Sequence, residues 1–283
     1  MSPELQTYIS QLLNGPSHFT SVGGGSINET YKVTAAGKSF FCKINDASKF
    51  PGLFAKESSG LRALAQTNCI ATPAVHGVYE HNGHQILLLE WIEGGIRTTG
   101  FWKNFGESLA KLHAASNTSC GFNENNYMGA LPQSNTCTQN WCDFFREHRL
   151  KPQAALAGNA LPSSLHAALE KLYNKLPSIF PPEPASLLHG DLWSGNFLCN
   201  EQSQPVLIDP AVYFGHRSMD LAMTTLFGGF DKAFYEAYNH WSPFPANYRE
   251  QWEVCNLYPL FIHLNLFGSG YLSSIAACLR RFA

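Results

Sequence analysis

Three polar residues set between apolar runs constrain this chain more than any other feature: Asp191, Asn196 and Asp209. The first two lie five residues apart in LLHGDLWSGNFL, with Ser186-Leu187-Leu188 before them and Phe197-Leu198-Cys199 after. The segment PVLIDP then places Asp209 thirteen residues beyond Asn196, at the end of another apolar strand. Short apolar runs broken by polar turns read as strands, and at hairpin spacing the three side chains converge on one site. A plain hairpin with polar turns is the alternative. It explains neither the residue types nor their joint spacing.

The chemistry of such a trio is specific. A carboxylate in the position of Asp191 can accept the proton of an attacking hydroxyl, while Asn196 and Asp209 offer hard oxygens suited to Mg²⁺. This is the layout of a kinase catalytic loop followed by its metal-binding aspartate. Other expected parts occur upstream, each weak alone and stronger in this order. SVGGGSINETYKV is a glycine-rich turn between two strands, where backbone N–H groups can approach phosphates closely. It lacks the G-x-x-x-x-G-K-[ST] pattern, which excludes a Walker-type loop. Lys43 follows on the apolar strand FFCKI, and Glu57 on the next helical segment. A lysine and a glutamate so placed form the pair that holds nucleotide phosphates in kinases.

The surrounding pattern predicts an α+β fold with two lobes. HFTSV, ETYKVTA and KSFFCKI read as strands, PGLFAKESSGLRALAQ as a helix, and AVHGVYE with HQILLLEWI as two strands around His81-Asn82-Gly83. A helix before them is predicted over PELQTYISQLL, capped by Ser2 and led by Pro3. Beyond Glu93-Gly94-Gly95 the periodicity is helical. FWKNFGESLAKLHAAS puts Phe105, Leu109 and Leu112 on one face, and WCDFFREHRL, PSSLHAALEKLYNKL and most of the chain after Leu221 follow suit. The lobes are expected at 1–92 and 93–283. Residues 121–140 are polar, Asn-rich and expected to be irregular, and the amides of Asn123–Asn140 suit sugar hydroxyls.

Bulk properties narrow the partners. The formal net charge is −2 and no Lys/Arg block occurs, which disfavours nucleic acid and membrane surfaces as partners. Eight cysteines include no C-x-x-C pair, so reduced and mostly buried thiols in a cytoplasmic protein are expected. The N-terminus lacks the pattern of a signal peptide. The apolar stretch Leu257–Phe267 is too short to span a bilayer and reads as a buried helix.

Taken together, HGDLWSGN and IDPAVYFGHRSMDLAMT, with GGGSINETYKV, FAKESSGLRAL, LLLEWIEG, FGESLAKLH, NYMGALPQSN, WCDFFREHRLKPQ and HLNLFGSGY, resemble the fructosamine kinase (ketosamine 3-kinase) family. The likeness covers nearly the whole chain. It implies a protein-kinase-like fold of the aminoglycoside-phosphotransferase branch, with a β-sheet N-terminal lobe and a larger helical C-terminal lobe. It also implies ATP-dependent phosphorylation of the sugar 3-hydroxyl of free or protein-bound ketosamines, leading to deglycation. In this likeness Asp191 is the catalytic base and Asn196 and Asp209 are Mg²⁺ ligands. Lys43, oriented by Glu57, and the loop Gly23, Gly24, Gly25, Ser26, Ile27 and Asn28 bind the phosphates of ATP. Glu90, Trp91 and Ile92 form the hinge beside adenine. Ser26 stands where some relatives carry Cys, which disfavours redox control there, and Ser218 stands where an acidic residue is common.

Rival readings are a kinase of the same fold acting on an aminoglycoside, choline or a thiosugar, and a scaffold without catalysis. The first lacks the dense acidic cluster that polycations require, and the second would have lost the candidate residues. A monomer or weak homodimer is expected. Trp193 is open to two readings, stacking on substrate or core packing. His189 reads as a histidine bonded to backbone, Asp220 as a helix-start residue bonding the catalytic loop, Arg217 as support for the same turn, and His113 as a packing residue.

Overall fold

The computed structural model describes residues 1–23 and 27–282. Helix α1 (Pro3–Leu12) starts where the Ser2 hydroxyl accepts from the Leu5 N–H. Its Leu5 and Ile9 pack on an antiparallel five-stranded sheet in the order β1-β2-β3-β5-β4, formed by β1 (Ser17–Ser21), β2 (Glu29–Ala35), β3 (Lys38–Asp46), β4 (Val75–His81) and β5 (His84–Glu90). On the opposite face lies α2 (Leu53–Gln66), whose Phe54 and Leu61 pack against Leu87 and Leu89 of β5. Covered on both sides, β5 is a continuous apolar run rather than an alternating one.

The rest of the chain is mainly helical. Helix α3 (Phe101–His113) buries Phe105, Leu109 and Leu112, as its periodicity predicts. Residues 121–140 are more ordered than their composition predicts. After the short β6 (Ser116–Asn117), strands β7 (Asn126–Met128) and β8 (Leu131–Gln133) form a hairpin. Then come α4 (Trp141–Phe145), a π-helical turn (Arg146–Leu150) and α5 (Lys151–Ala157). The π turn has a local cause. Pro152 has no N–H for the carbonyl of His148, and the Arg149 side chain donates to that carbonyl instead, at 3.0 Å.

Helix α6 (Ser163–Ile179) leads to the catalytic segment, built from β9 (Ala185–Leu188), β10 (Phe197–Cys199), β11 (Pro205–Leu207) and β12 (Tyr213–Gly215). Four helices complete the fold: α7 (Ser218–Met223), α8 (Lys232–Trp241), α9 (Tyr248–Phe267) and α10 (Leu272–Leu279). The middle of α9 is buried all round, as Leu257–Phe267 predicts for much of its length. No helix among the described residues is long and apolar enough to cross a membrane. All eight cysteines are free, with Cys42, Cys120, Cys199 and Cys255 buried and Cys137 exposed.

Candidate active site

The chain leaves β9 at Leu188, runs through His189–Asn196, makes the β10–β11 hairpin, and returns through Asp209 to β12, which pairs with β9 again. The hairpin register sets Phe197 opposite Leu207, so Asn196 and Ile208 are adjacent, and the Ile208 N–H donates to the Asn196 carbonyl at 3.1 Å. A second bond, Ala211 N–H to the His189 carbonyl at 2.9 Å, closes the frame. Thus thirteen residues of sequence become one turn of space.

Two backbone features require particular residues. Gly190 has φ +83°, and a Cβ there would stand 2.1 Å from the Ala211 carbonyl oxygen. No other residue fits. Asp209 has φ +55°, a left-handed conformation in which Asp is among the better-tolerated side chains.

The His189 ring clips the two turns together. Its Nε2 is 2.9 Å from the Ile208 carbonyl oxygen, and its Nδ1 accepts from the Asp191 N–H at 3.2 Å, which assigns the proton to Nε2. Complete burial holds its pKa below the usual value and the ring neutral. Asp220, on α7, accepts from the His189 N–H at 2.7 Å and the Gly190 N–H at 2.9 Å. Its Oδ2 also lies 3.2 Å from His113 Nε2, whose ring bonds Tyr238 through Nδ1 at 2.8 Å. Burial alone would raise the Asp220 carboxyl, but the His113 bond and these donors hold it below its ordinary value.

On the sheet side, the Lys43 ammonium from β3 lies 2.7 Å from Glu57 Oε1 and 2.6 Å from Asp209 Oδ1. Burial opposes its charge, yet the two carboxylates outweigh that and raise its pKa. Glu57 is raised by burial, with Lys43 opposing. Asp191 sits half-buried across from them. Burial pushes its carboxyl up to about 7, Asp209 and Asp220 push the same way, and the Asn196 amide opposes. Asn196 Nδ2 donates to the Asp191 carbonyl at 2.8 Å and to Oδ2 at 2.9 Å. That leaves the amide oxygen of Asn196 and Oδ2 of Asp209 with no hydrogen bond among the described residues. Two hard oxygens of this kind fit Mg²⁺, which takes one or two protein ligands and completes its shell with phosphate and water.

The model of the fructosamine kinase family matches residues 1–283. The chain is 41% identical over 268 residues to a probable ketoamine kinase of Synechocystis, covering 92% of this chain and 88% of that one. The chain belongs to the fructosamine kinase family. Further similarity is to a chloroplastic protein-ribulosamine 3-kinase of Arabidopsis thaliana, 38% identical over 90% of this chain and 79% of that one. Among solved structures, a putative fructosamine-3-kinase from Thermobifida fusca superposes with a TM-score of 0.89 at 31% identity, covering 99% and 98% of the two chains. The aminoglycoside phosphotransferase APH(4)-Ia, crystallised with AMP-PNP and hygromycin B, superposes at 0.65 with 13% identity over 100% and 99%. That likeness is one of fold, and it places the family in the two-lobe, protein-kinase-like class.

Other residues named from the sequence lie around this centre. Gly24, Gly25 and Ser26 fall outside the described residues. Beside them, Asn45 Nδ2 donates to Asn28 Oδ1 at 2.5 Å and to the Ile27 carbonyl at 3.2 Å, anchoring Ile27 and Asn28 to β3. At the end of β5, Glu90 exchanges bonds with Ala74, by its N–H at 2.8 Å and its Oε2 at 3.1 Å. Trp91 lies under Lys32, 4.4 Å from the ring centre, and neither Trp91 nor Ile92 makes a backbone–backbone hydrogen bond among the described residues. Trp193 is half-buried, packed on the core and folded over Gly195, where a Cβ would lie 2.3 Å from its ring.

Three readings need amending. His113 packs in the core as expected, and it is also the middle of the buried Tyr238–His113–Asp220 chain. Its signal was a histidine on the apolar face of α3, where a buried polar group requires a partner. Arg217 does not brace the catalytic turn. It bonds the Ser242 hydroxyl and the carbonyls of Ser242 and Pro243, and pairs with Glu183. The third concerns the amides of residues 121–140. Asn126 donates to the Val212 carbonyl at 2.9 Å, and Gln133 to Asn126 Oδ1 at 2.7 Å and the Ala211 carbonyl at 3.2 Å. Asn135 Oδ1 accepts from the buried Arg149 at 2.8 Å. Asn126, Gln133 and Asn135 bond protein groups and brace the segment that follows Asp209, so they are not free for sugar hydroxyls. Sequence reasoning missed Arg149 altogether.

Proposed function

We propose that this fructosamine kinase family member transfers the γ-phosphoryl group of ATP to the 3-hydroxyl of a ketosamine sugar. The observation that carries the reading is the meeting of the buried Lys43 ammonium with Glu57 and the half-exposed Asp209, opposite the Asp191–Asn196 pair, in a chain so similar to ketoamine kinases.

In this reading the acceptor hydroxyl hydrogen-bonds Asp191. A carboxyl poised near 7 accepts its proton late in a loose transition state, so Asp191 contributes mainly by orienting the hydroxyl. Asn196 fixes the Asp191 carboxylate with one face of its amide. Lys43, held by Glu57, places a charge on the nucleotide phosphates, and the Gly23–Asn28 loop covers them. Asn196 and Asp209 would hold Mg²⁺, which when bound stabilises charge on the phosphoryl oxygens. The backbone of Trp91 and Ile92, which makes no backbone–backbone hydrogen bond among the described residues, meets adenine together with Glu90, and Trp193 borders the sugar. We place the division of the lobes after residue 92, in the span between β5 and α3. The free cysteines fit a cytoplasmic setting, and no nucleic acid or membrane partner is needed. The substrate is free or protein-bound, and the enzyme a monomer or weak homodimer.

The test is ³¹P NMR of the protein incubated with ATP, Mg²⁺ and a ribulosamine or fructosamine, with choline and kanamycin as controls. A ketosamine phosphate that forms and then decays to inorganic phosphate with release of the amine is expected. Turnover of choline or kanamycin with no ketosamine phosphate would refute the substrate assignment.

A further inference from the structure

Helix α2 carries Glu57, yet little in its own sequence fixes where it starts. Its N-cap is Gly52, at φ +70°, which has no side chain to bond the free N–H groups of the first turn. Distant residues hold the start instead. From the sheet, Gln85 of β5 accepts from the Phe54 N–H at 3.2 Å and donates to the Phe50 carbonyl at 2.6 Å. From the β7–β8 hairpin, the Tyr127 hydroxyl donates to the Pro51 carbonyl at 3.1 Å. The Tyr127 ring packs on the apolar cluster of Leu53, Phe54 and Leu61, and meets Phe50 edge-on with 6.4 Å between ring centres. One more tie, exposed to solvent, runs from the Lys56 ammonium to the Asn125 carbonyl at 2.8 Å.

The same hairpin is anchored on the other catalytic segment. Neighbouring residues of a strand point to opposite faces, so Asn126 faces away from the side on which Tyr127 meets α2. Asn126 donates to the Val212 carbonyl at 2.9 Å, and Gln133 to the Ala211 carbonyl at 3.2 Å. Both carbonyls lie just past Asp209. Helix α2 also packs on this segment directly, since a Cβ on Gly60 would stand 3.1 Å from Val212 Cγ2. Lys43 is thus held by two carboxylates, Glu57 and Asp209, whose supports meet in one hairpin. In protein kinases the lysine–glutamate pair forms only while the glutamate's helix is docked, and separate activation steps control that docking.

We propose that Tyr127 is a positioning residue for phosphoryl transfer, and that the β7–β8 hairpin is a permanent strap that docks α2 and so keeps Glu57 on Lys43. The inference rests on the reading of Lys43 and Glu57 as the pair that holds the nucleotide phosphates. It gives the hairpin a role on both of its faces: its amides brace the segment after Asp209, and its tyrosine braces the helix of Glu57. With Tyr127 truncated, the start of α2 keeps only Gln85 and the exposed Lys56 bond. Glu57 then leaves Lys43 for part of the time, and the lysine is less well aimed at the phosphates. The cost falls on the use of ATP rather than on binding of the acceptor. With the strap in place, the site assembles without an activating modification.

The experiment is a double-mutant cycle of Tyr127→Ala with Glu57→Gln. It is read as affinity for a fluorescent ATP analogue with Mg²⁺, which does not depend on the acceptor, and as kcat/KM for ATP and KM for a ribulosamine. Tyr127→Ala is expected to lower the ATP affinity and kcat/KM for ATP about tenfold in the wild-type background and less than about twofold in Glu57→Gln, with KM for the ribulosamine unchanged. Tyr127→Phe keeps the ring and loses one hydrogen bond. It is expected to cost about threefold in the wild-type background and nothing in Glu57→Gln, and it carries the same test should Tyr127→Ala fail to fold. Equal losses in both backgrounds would mean a general structural role, and no loss in either would mean that α2 docks without the strap; both overturn the inference. If Glu57→Gln by itself left both readouts at their wild-type values, the reading of the Lys43–Glu57 pair would be at fault, and the inference would fall with it.

Discussion

Asp209 and Asp220 are both aspartates whose carboxylates bond a nitrogen base, and the fold treats them oppositely. The Asp220 side chain is 1% exposed and bonded by His113 and by the N–H groups of His189 and Gly190. The Asp209 side chain is 41% exposed, bonds Lys43 through one oxygen, and leaves the other without a partner among the described residues. A saturated buried carboxylate holds backbone in place, and removing it strands the donors around it. A carboxylate with a vacant lone pair at the edge of a cleft is available to a ligand. The difference separates a residue that shapes the loop from one that works in it, and exposure with hydrogen-bond saturation reads it where residue type does not.

The largest effect is expected at the centre of the comparison. Asp191→Asn should lower kcat by about 10⁴-fold while nucleotide affinity, measured by titration of a fluorescent ATP analogue, stays near wild type. Near-normal kcat in that variant would remove Asp191 from the reaction. Next, Asp209→Ala should lower kcat/KM for ATP by about 10³-fold and abolish the Mg²⁺ dependence of nucleotide binding, with a small change in Tm. If it unfolded the protein instead, the contrast with Asp220 would be lost.

Asp220→Ala should act through stability, at a cost of about 3–4 kcal/mol by urea unfolding, because it breaks a buried hydrogen-bonded network. The Asp220 carboxyl is depressed in the folded state, so its contribution is fully present above its ordinary pKa. It is lost as pH falls through the still lower folded value, and the variant should approach the wild-type protein below about pH 4. A ΔΔG independent of pH would contradict this.

The smallest effect has the opposite sign. The Asp191 carboxyl is raised to about 7 when folded, so its ionisation opposes folding as pH climbs from its ordinary range towards 7. Asp191→Asn in EDTA should therefore be more stable than the wild-type protein by about 1–2 kcal/mol at pH 8, after discounting for partial exposure, with the gain vanishing near pH 4. Equal Tm values at pH 8 would show the carboxylate to be well solvated.

Local pattern determined much of this protein. Runs of β-branched, aromatic and apolar residues between turn signals defined β1 to β5, the helical face of Phe105, Leu109 and Leu112 defined α3, and the Ser2-Pro3 start defined α1, because each depends on neighbours along the chain. The spacing of Asp191, Asn196 and Asp209 was legible for the same reason, since a hairpin is a local object. Tertiary structure decided the rest. The role of His113 depends on Tyr238, 125 residues away, and Lys43 meets Asp209 across 166 residues. The amides between Asn126 and Asn135 looked available because composition reports polarity, not partners. Only packing against Ala211, Val212 and Arg149 spends them. A hydrogen-bonding group announces its capacity in the sequence, but whether that capacity is consumed by the protein or left for a ligand depends on what the folded chain brings within about 3 Å of it.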